Sequence, residues 1–201
     1  MYEYSRLTPQ ERAALVSERL RLGSPPHSPP YRMDLPSCYL LTASCYLHQR
    51  IVDSEERRGQ VLDLLFERFV LAGVEILAWV VLPNHYHLLV QTTEAAQIGG
   101  VLKTVHGPTA RQWNLEDGTA GRAVWYRYSD RTIRSQRHYM TTLNYIHYNP
   151  VKHGWARSVY DWPKSSVHWY LTHFGREWLR DAWRECPLRD YGRGWDDAGA
   201  A

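Results

Sequence analysis

The sequence predicts an α+β fold, a single antiparallel sheet with helices packed on one face. Two observations carry this. Stretches rich in β-favouring residues alternate with stretches of helical period in the order strand, helix, strand, strand, helix, strand or extended segment, helix. The second and third strand runs, residues 74–82 and 85–91, are separated only by Pro83-Asn84, a turn that returns the chain antiparallel.

Residues 1–36 read as an N-terminal arm. Thr8 suits an N-cap, Pro9 the first helical position and Glu11 the reciprocal capping position of a helix running to about residue 22. Four prolines between Gly23 and Pro30 then exclude helix and give an extended linker. The main domain is expected over residues 37–170, with a helical tail over 171–201. Residues 37–46 form the first strand. Asp53 or Ser54 caps a helix whose apolar stripe is Val61, Leu62, Leu64, Leu65, Phe69 and Val70, and Gly73 ends it. From about 97 to 114 the period is helical again, with Ile98, Val101, Leu102 and Val105 inward, Lys103 and Arg111 outward, and a kink or split expected at Gly107-Pro108. Residues 124–129 and 132–133 supply a fourth strand or an extended segment. Ser135 or Gln136 opens the last helix of the domain, which should stop at Asn149 because a residue before proline is pushed out of the helical region. The tryptophans of the tail suggest short packed helices, with fraying from residue 192 onward.

At 201 residues the chain suits one domain with appendages, and no apolar run approaches the length of a membrane span. The first residues lack a secretory pattern and the three cysteines include no CxxC, so a cytoplasmic protein without disulfides or a thiolate zinc site is expected. Net charge is only +3, but eight basic residues face two acids between Arg122 and Lys164. Trp125, Tyr126, Tyr128, Tyr139, Trp155 and Trp162 are interleaved with them, a mixture of cations and flat rings that suits single-stranded nucleic acid and equally describes a solvated face over core aromatics.

Two short stretches concentrate the chemistry. On a strand, His85 and His87 leave the same face of the sheet. A metal site there needs a further ligand from elsewhere, with Glu75, Glu94 and Asn149 as candidates. On a helix, Tyr145 and Asn149 lie one turn apart on one face. A tyrosine is a weak nucleophile near neutral pH and needs an activating neighbour. Two imidazoles and an amide oxygen holding a divalent ion against a phosphodiester would provide one. Tyr148 competes for the same role, Tyr139 less so.

The run Trp79-Val-Val-Leu-Pro-Asn-His-Tyr-His-Leu-Leu-Val90, then Tyr145-Ile-His-Tyr-Asn-Pro-Val-Lys-His-Gly154 and Asp161-Trp-Pro-Lys-Ser-Ser166, resembles the HUH single-tyrosine transposases. Within them it is most similar to the REP-associated tyrosine transposases. The resemblance implies a ferredoxin- or RRM-like HUH fold over residues 37–170. It implies that His85 and His87 are metal ligands, Asn149 the third ligand, Tyr145 the nucleophile and Mg²⁺ or Mn²⁺ the ion. The implied reaction is cleavage and rejoining of single-stranded DNA beside a hairpin through a 5′-phosphotyrosine, by a monomer or homodimer. Arg127, Arg131, Arg134, Lys152 and His153 flank the proposed site as phosphate contacts, Trp125 and Trp162 are candidates for base stacking, and Lys103 and Arg111 for the hairpin. Two rivals stand beside this reading: a hairpin-binding protein without turnover, and a metal-dependent hydrolase that activates water.

Overall fold

The computed structural model describes residues 37–195 together with Thr8 and Gln10. The chain divides after Pro36 into two units, and every element named below belongs to the second, Ser37–Ala201. The helix and proline-rich linker expected of the arm lie outside the described residues, apart from Thr8 and Gln10.

Strands β1 (Ser37–Ser44), β2 (Glu75–Val81), β3 (His85–Thr92) and β4 (Ser129–Thr132) form one sheet in the order β2-β3-β1-β4, antiparallel throughout. Helices α1 (Glu55–Leu71), α2 (Ile98–Glu116), α3 (Gln136–Lys152) and α4 (Val167–Glu185) cover it. This is the antiparallel α+β architecture the sequence predicts, and the last two helices extend the cover to the second face. On the first face Leu41, Ala43, Tyr86, Leu88 and Val90 pack with Val61, Leu65 and Phe69 of α1 and Leu102, Val105 and Trp113 of α2. On the other, Leu40, Ala78, Val80 and Leu89 pack with Leu143 and Ile146 of α3 and Val167 and Leu179 of α4. Burial on both sides explains why β3 has no alternation of polar and apolar residues: every position from His85 to Val90 is buried.

Local chemistry sets the helix ends. Ser54 and Ser135 cap α1 and α3, accepting from the N–H of Arg57 and His138. The buried stripe of α1 is narrower than expected, Val61, Leu65 and Phe69, and Val70 is exposed. Neither internal proline ends a helix. Pro108 sits inside an unbroken α2, where Gly107 offers no Cβ to the proline ring and Thr109 Oγ1 donates to the Val105 carbonyl. Pro150 lies in the last turn of α3, which continues to Lys152. Its own carbonyl accepts from Trp155 N–H at 2.8 Å, and the Asn149 carbonyl accepts from His153 N–H. Residues 167–185 form two short helical runs that meet at a non-helical Gly175 (φ 84°, ψ 167°), in keeping with the short packed helices expected of the tail. The boundary expected between residues 170 and 171 falls inside the first of these runs.

Candidate active site

The alternation of β3 sends Tyr86 and Leu88 to the first face and His85 and His87 to the second, where α3 crosses the sheet. Both imidazoles are held at Nδ1. Thr42 Oγ1, directly opposite His87 in the β1 register, lies 2.8 Å from His87 Nδ1. Asn84 Oδ1, on the hairpin turn, lies 2.8 Å from His85 Nδ1. Fixed in this way, both rings turn Nε2 toward α3. There Asn149 Oδ1 is 3.0 Å from His85 Nε2, and the Tyr145 hydroxyl is 3.4 Å from His87 Nε2. All four side chains are essentially buried.

The His85 contact has an electrostatic consequence. With Nδ1–H donating to Asn84 Oδ1, the neutral ring aims its Nε2 lone pair at another acceptor, Asn149 Oδ1. A proton on the ring or a cation between the two atoms reconciles them. Asn149 keeps this orientation although its buried Nδ2 has no partner, so the amide presents its oxygen, the atom a hard cation takes. The 3.0 Å separation matches the edge between adjacent donors, about 3 Å, when each lies about 2.1 Å from a shared octahedral ion. Histidine ligands commonly have their second nitrogen tied to a neighbouring acceptor, as Thr42 and Asn84 tie these two. The residues therefore fit a divalent ion held by two imidazoles and one amide oxygen. Among the described residues no group of three His, Cys, Asp or Glu side chains is arranged for a metal, so a third donor beside the two imidazoles would be of another type, as the Asn149 amide is.

Other groups crowd the same spot. The His153 ring lies 5.0 Å from that of His85. The Lys152 ammonium stands 5.1 Å over the Tyr145 ring and donates to the Gly192 carbonyl at 2.9 Å. The segment after α4 then closes over the phenol. Tyr191 and Trp195 meet the Tyr145 ring edge-on at 5.6 and 5.7 Å, and any Cβ at Gly192 would collide with that ring. Tyr191 is anchored by its hydroxyl to Thr142 and His138. Burial raises the Tyr191 phenol and lowers the His138 imidazole, so both are neutral near pH 7. As a result Tyr145 is only 1% exposed.

No family model matches the chain. A REP-associated tyrosine transposase of Escherichia coli K12 is 31% identical over 127 residues, 58% of this chain and 73% of that protein. The chain belongs to the REP-associated tyrosine transposases. A Haemophilus influenzae protein named for the same family is 38% identical over 109 residues, 47% of this chain and 59% of its own length. A solved REP-associated tyrosine transposase bound to a REP hairpin superposes with a TM-score of 0.56 at 24% identity, over 68% of this chain and 80% of that one, and shares the fold.

In this transposase the residues singled out in the sequence fall into three groups. His85, His87, Tyr145 and Asn149 come together, with Lys152 and His153 beside them. Tyr148 points instead to Trp183, and the Tyr139 hydroxyl lies 3.4 Å from that of Tyr170. Arg127 and Arg134 are exposed on the edge chain and the approach to α3, and Arg131 covers the Trp195 ring at 4.0 Å. Four candidates lie elsewhere. Lys103 and Arg111 are exposed on α2, which packs on the opposite face of the sheet. Trp125 packs into that first-face core, stacked on His106 at 4.5 Å with its N–H donated to Thr109, and Trp162 donates to the Val81 carbonyl inside the second core. Their rings serve packing, because each indole N–H finds its acceptor inside the protein.

Thr42, Asn84, Tyr191, Gly192 and Trp195 escaped the sequence reading. Asn84 had a signal, its adjacency to His85 in the turn. Thr42 becomes visible only through strand register, and the expected fraying from residue 192 hid an ordered cover that includes Trp195.

Proposed function

We propose that the chain cleaves and rejoins single-stranded DNA beside a palindromic hairpin, with Tyr145 as nucleophile. The observation that carries this reading is the convergence of the Tyr145 hydroxyl, 3.4 Å from His87, with the His85–Asn149 contact of 3.0 Å one helical turn away. In the reaction a bond forms between the tyrosine oxygen and phosphorus while the bond from phosphorus to the 3′ oxygen breaks. The phenol gives up one proton and the 3′ oxygen ends as a hydroxyl with one. The products are a 5′-phosphotyrosine and a free 3′-hydroxyl, and attack of such a hydroxyl on the phosphotyrosine restores a phosphodiester. His85, His87 and Asn149 would hold Mg²⁺ or Mn²⁺, which supplies charge to the non-bridging phosphate oxygens. Lys152 beside the Tyr145 ring and His153 beside His85 would bind the same phosphate.

The test is covalent trapping. Hairpin-bearing single-stranded DNA incubated with the protein and Mn²⁺ or Mg²⁺ should give an adduct stable to denaturant, and Tyr145→Phe should give none. Cleavage by Tyr145→Phe with no protein attached to the product would establish water as the nucleophile. Hairpin binding without turnover is favoured by one observation, the 1% exposure of Tyr145 beneath Tyr191 and Trp195. On that reading the wild type binds hairpins tightly and forms no adduct with either ion.

A further inference from the structure

The end of the sheet nearest His85 carries an unusual group of exposed apolar side chains. After β1 the chain enters a short turn, Tyr46–His48, in which Leu47 (φ 53°, ψ 29°) and His48 (φ 52°) both adopt left-handed backbone. For a leucine this is a strained conformation that the surroundings must impose. They do so: Cys45 N–H donates to the Asn84 carbonyl, Asn84 Nδ2 to the His48 carbonyl, and Tyr46 N–H to the Val124 carbonyl. The return for the strain is not packing, because the Leu47 side chain is 70% exposed and Tyr46 39%.

A second irregularity meets the first. Thr42 pairs with Ser129 and Cys45 with Trp125, so three steps along β1 oppose four along the edge chain and one extra residue is inserted there. Tyr126 N–H bonds the carbonyl of Ser44, the residue opposite His85. Tyr126 is 46% exposed, its ring 6.2 Å from that of Tyr46, and Arg127 beside it is also exposed. On the far side of the turn, the guanidinium of Arg50 lies over Trp155, two residues beyond His153. Two exposed phenols and an exposed leucine therefore border the His85 end of the candidate active site, with two arginines and no acid among them.

We infer that Tyr46, Leu47 and Tyr126 form a clamp for an unpaired nucleobase of the DNA strand next to the scissile phosphate, with Arg127 taking a backbone phosphate. The inference rests on the proposed function, and it deepens that reading by assigning the surface that reads the single-stranded flank. A base offers the flat, weakly hydrated face that two tilted phenols and a leucine can enclose, and an anionic backbone suits the arginines. The strained turn and the inserted residue share one effect: each directs a side chain outward beside His85.

The probe is a synthetic palindromic DNA hairpin with single-stranded flanks, compared with the same hairpin without them. 2-Aminopurine is moved through the flank positions one at a time. Binding of wild type should change 2-aminopurine fluorescence at one or two adjacent positions. Tyr46→Ala and Tyr126→Ala should abolish that change and weaken the flanked hairpin about fivefold or more. Affinity for the unflanked hairpin should stay the same, and Tyr46→Phe and Tyr126→Phe should behave as wild type. Equal losses on both hairpins, no loss on either, or phenylalanine variants as weak as the alanine ones would overturn the clamp. Adduct formation at Tyr145 is scored separately on denaturing gels. A wild type that gives the fluorescence change but no adduct keeps the clamp and loses the cleavage chemistry, and the converse result does the reverse.

Discussion

Asn149 shows how much a single neutral side chain can decide. Its oxygen faces His85 while its buried nitrogen has no partner, an arrangement that costs hydrogen bonding at the nitrogen and that a cation held by the oxygen would offset. The two residues that fix the imidazoles are therefore expected to matter to metal binding although neither touches the ion. Thr42→Val and Asn84→Ala should each weaken Mn²⁺ binding about 10- to 100-fold by calorimetry, with the fold intact by circular dichroism. Unchanged affinity in both would remove the metal reading of the pair. Leu47 makes the opposite kind of prediction. Replacing it with glycine removes a left-handed strain of about 1 kcal/mol, so Leu47→Gly should raise the midpoint of denaturant unfolding slightly. On the first face, burial holds the His106 imidazole down to about 4, neutral against Trp125 and Tyr86. The unfolded chain takes up that proton below about pH 6.5, so the stability tied to neutral His106 is complete above that pH and is lost as pH falls toward about 4. His147, lowered to about 3 by burial, adds to the same slope. Stability measured across this window should fall more gently in His106→Gln than in wild type.

Among the elements, α2 and α3 mark where sequence reasoning works and where it stops. Both were legible from their period and, for α3, from its cap, Ser135. Losing that cap in Ser135→Ala should cost about 1 kcal/mol of stability. The prolines misled because a rule about average residues met particular neighbours: Gly107 removes one side of the clash at Pro108, and Pro150 falls where the helix has only one turn left to lose. Within α2 the missing N–H still carries a penalty, so Pro108→Ala should stabilise the chain by about 1 to 3 kcal/mol if the helix is otherwise unstrained, read as a shift in unfolding midpoint. The strands were legible for a different reason. β1, β2 and β3 are β-rich runs, whereas β4 is four residues, three of them exposed, that become a strand only by pairing with β1, information that no local window contains. The same limit applied to Thr42, whose role depends on register across the sheet.

At the scale of the molecule, the helices on the second face and the chain after them turn a sheet with two histidines into a covered site. Motif spacing put His85 with His87 and Tyr145 with Asn149, each pair on one rigid element, but it left Glu75, Glu94 and Tyr148 open, and the set of four was legible only through the family resemblance. The cover was not legible, because glycines and charged residues around Tyr191 and Trp195 look like a loose end in any sequence window. Only the meeting of Tyr191 with His138 and Thr142, and of Gly192 with Lys152, reveals it. Gly192→Ala tests the cover with one methyl group, which has no room beside the Tyr145 ring. The variant should form the tyrosine–DNA adduct faster than wild type under the same conditions, and an unchanged rate would mean that the segment does not limit access. If contacts between residues 188–195 and α3 favour the closed arrangement by about 2.7 kcal/mol, about one molecule in a hundred has Tyr145 uncovered at any instant, and under the proposed chemistry the observed rate is that fraction of the intrinsic one. Two chains with identical catalytic residues can then differ a hundredfold in output through a few aromatic contacts near the C-terminus, so activity can be tuned there without touching the chemistry.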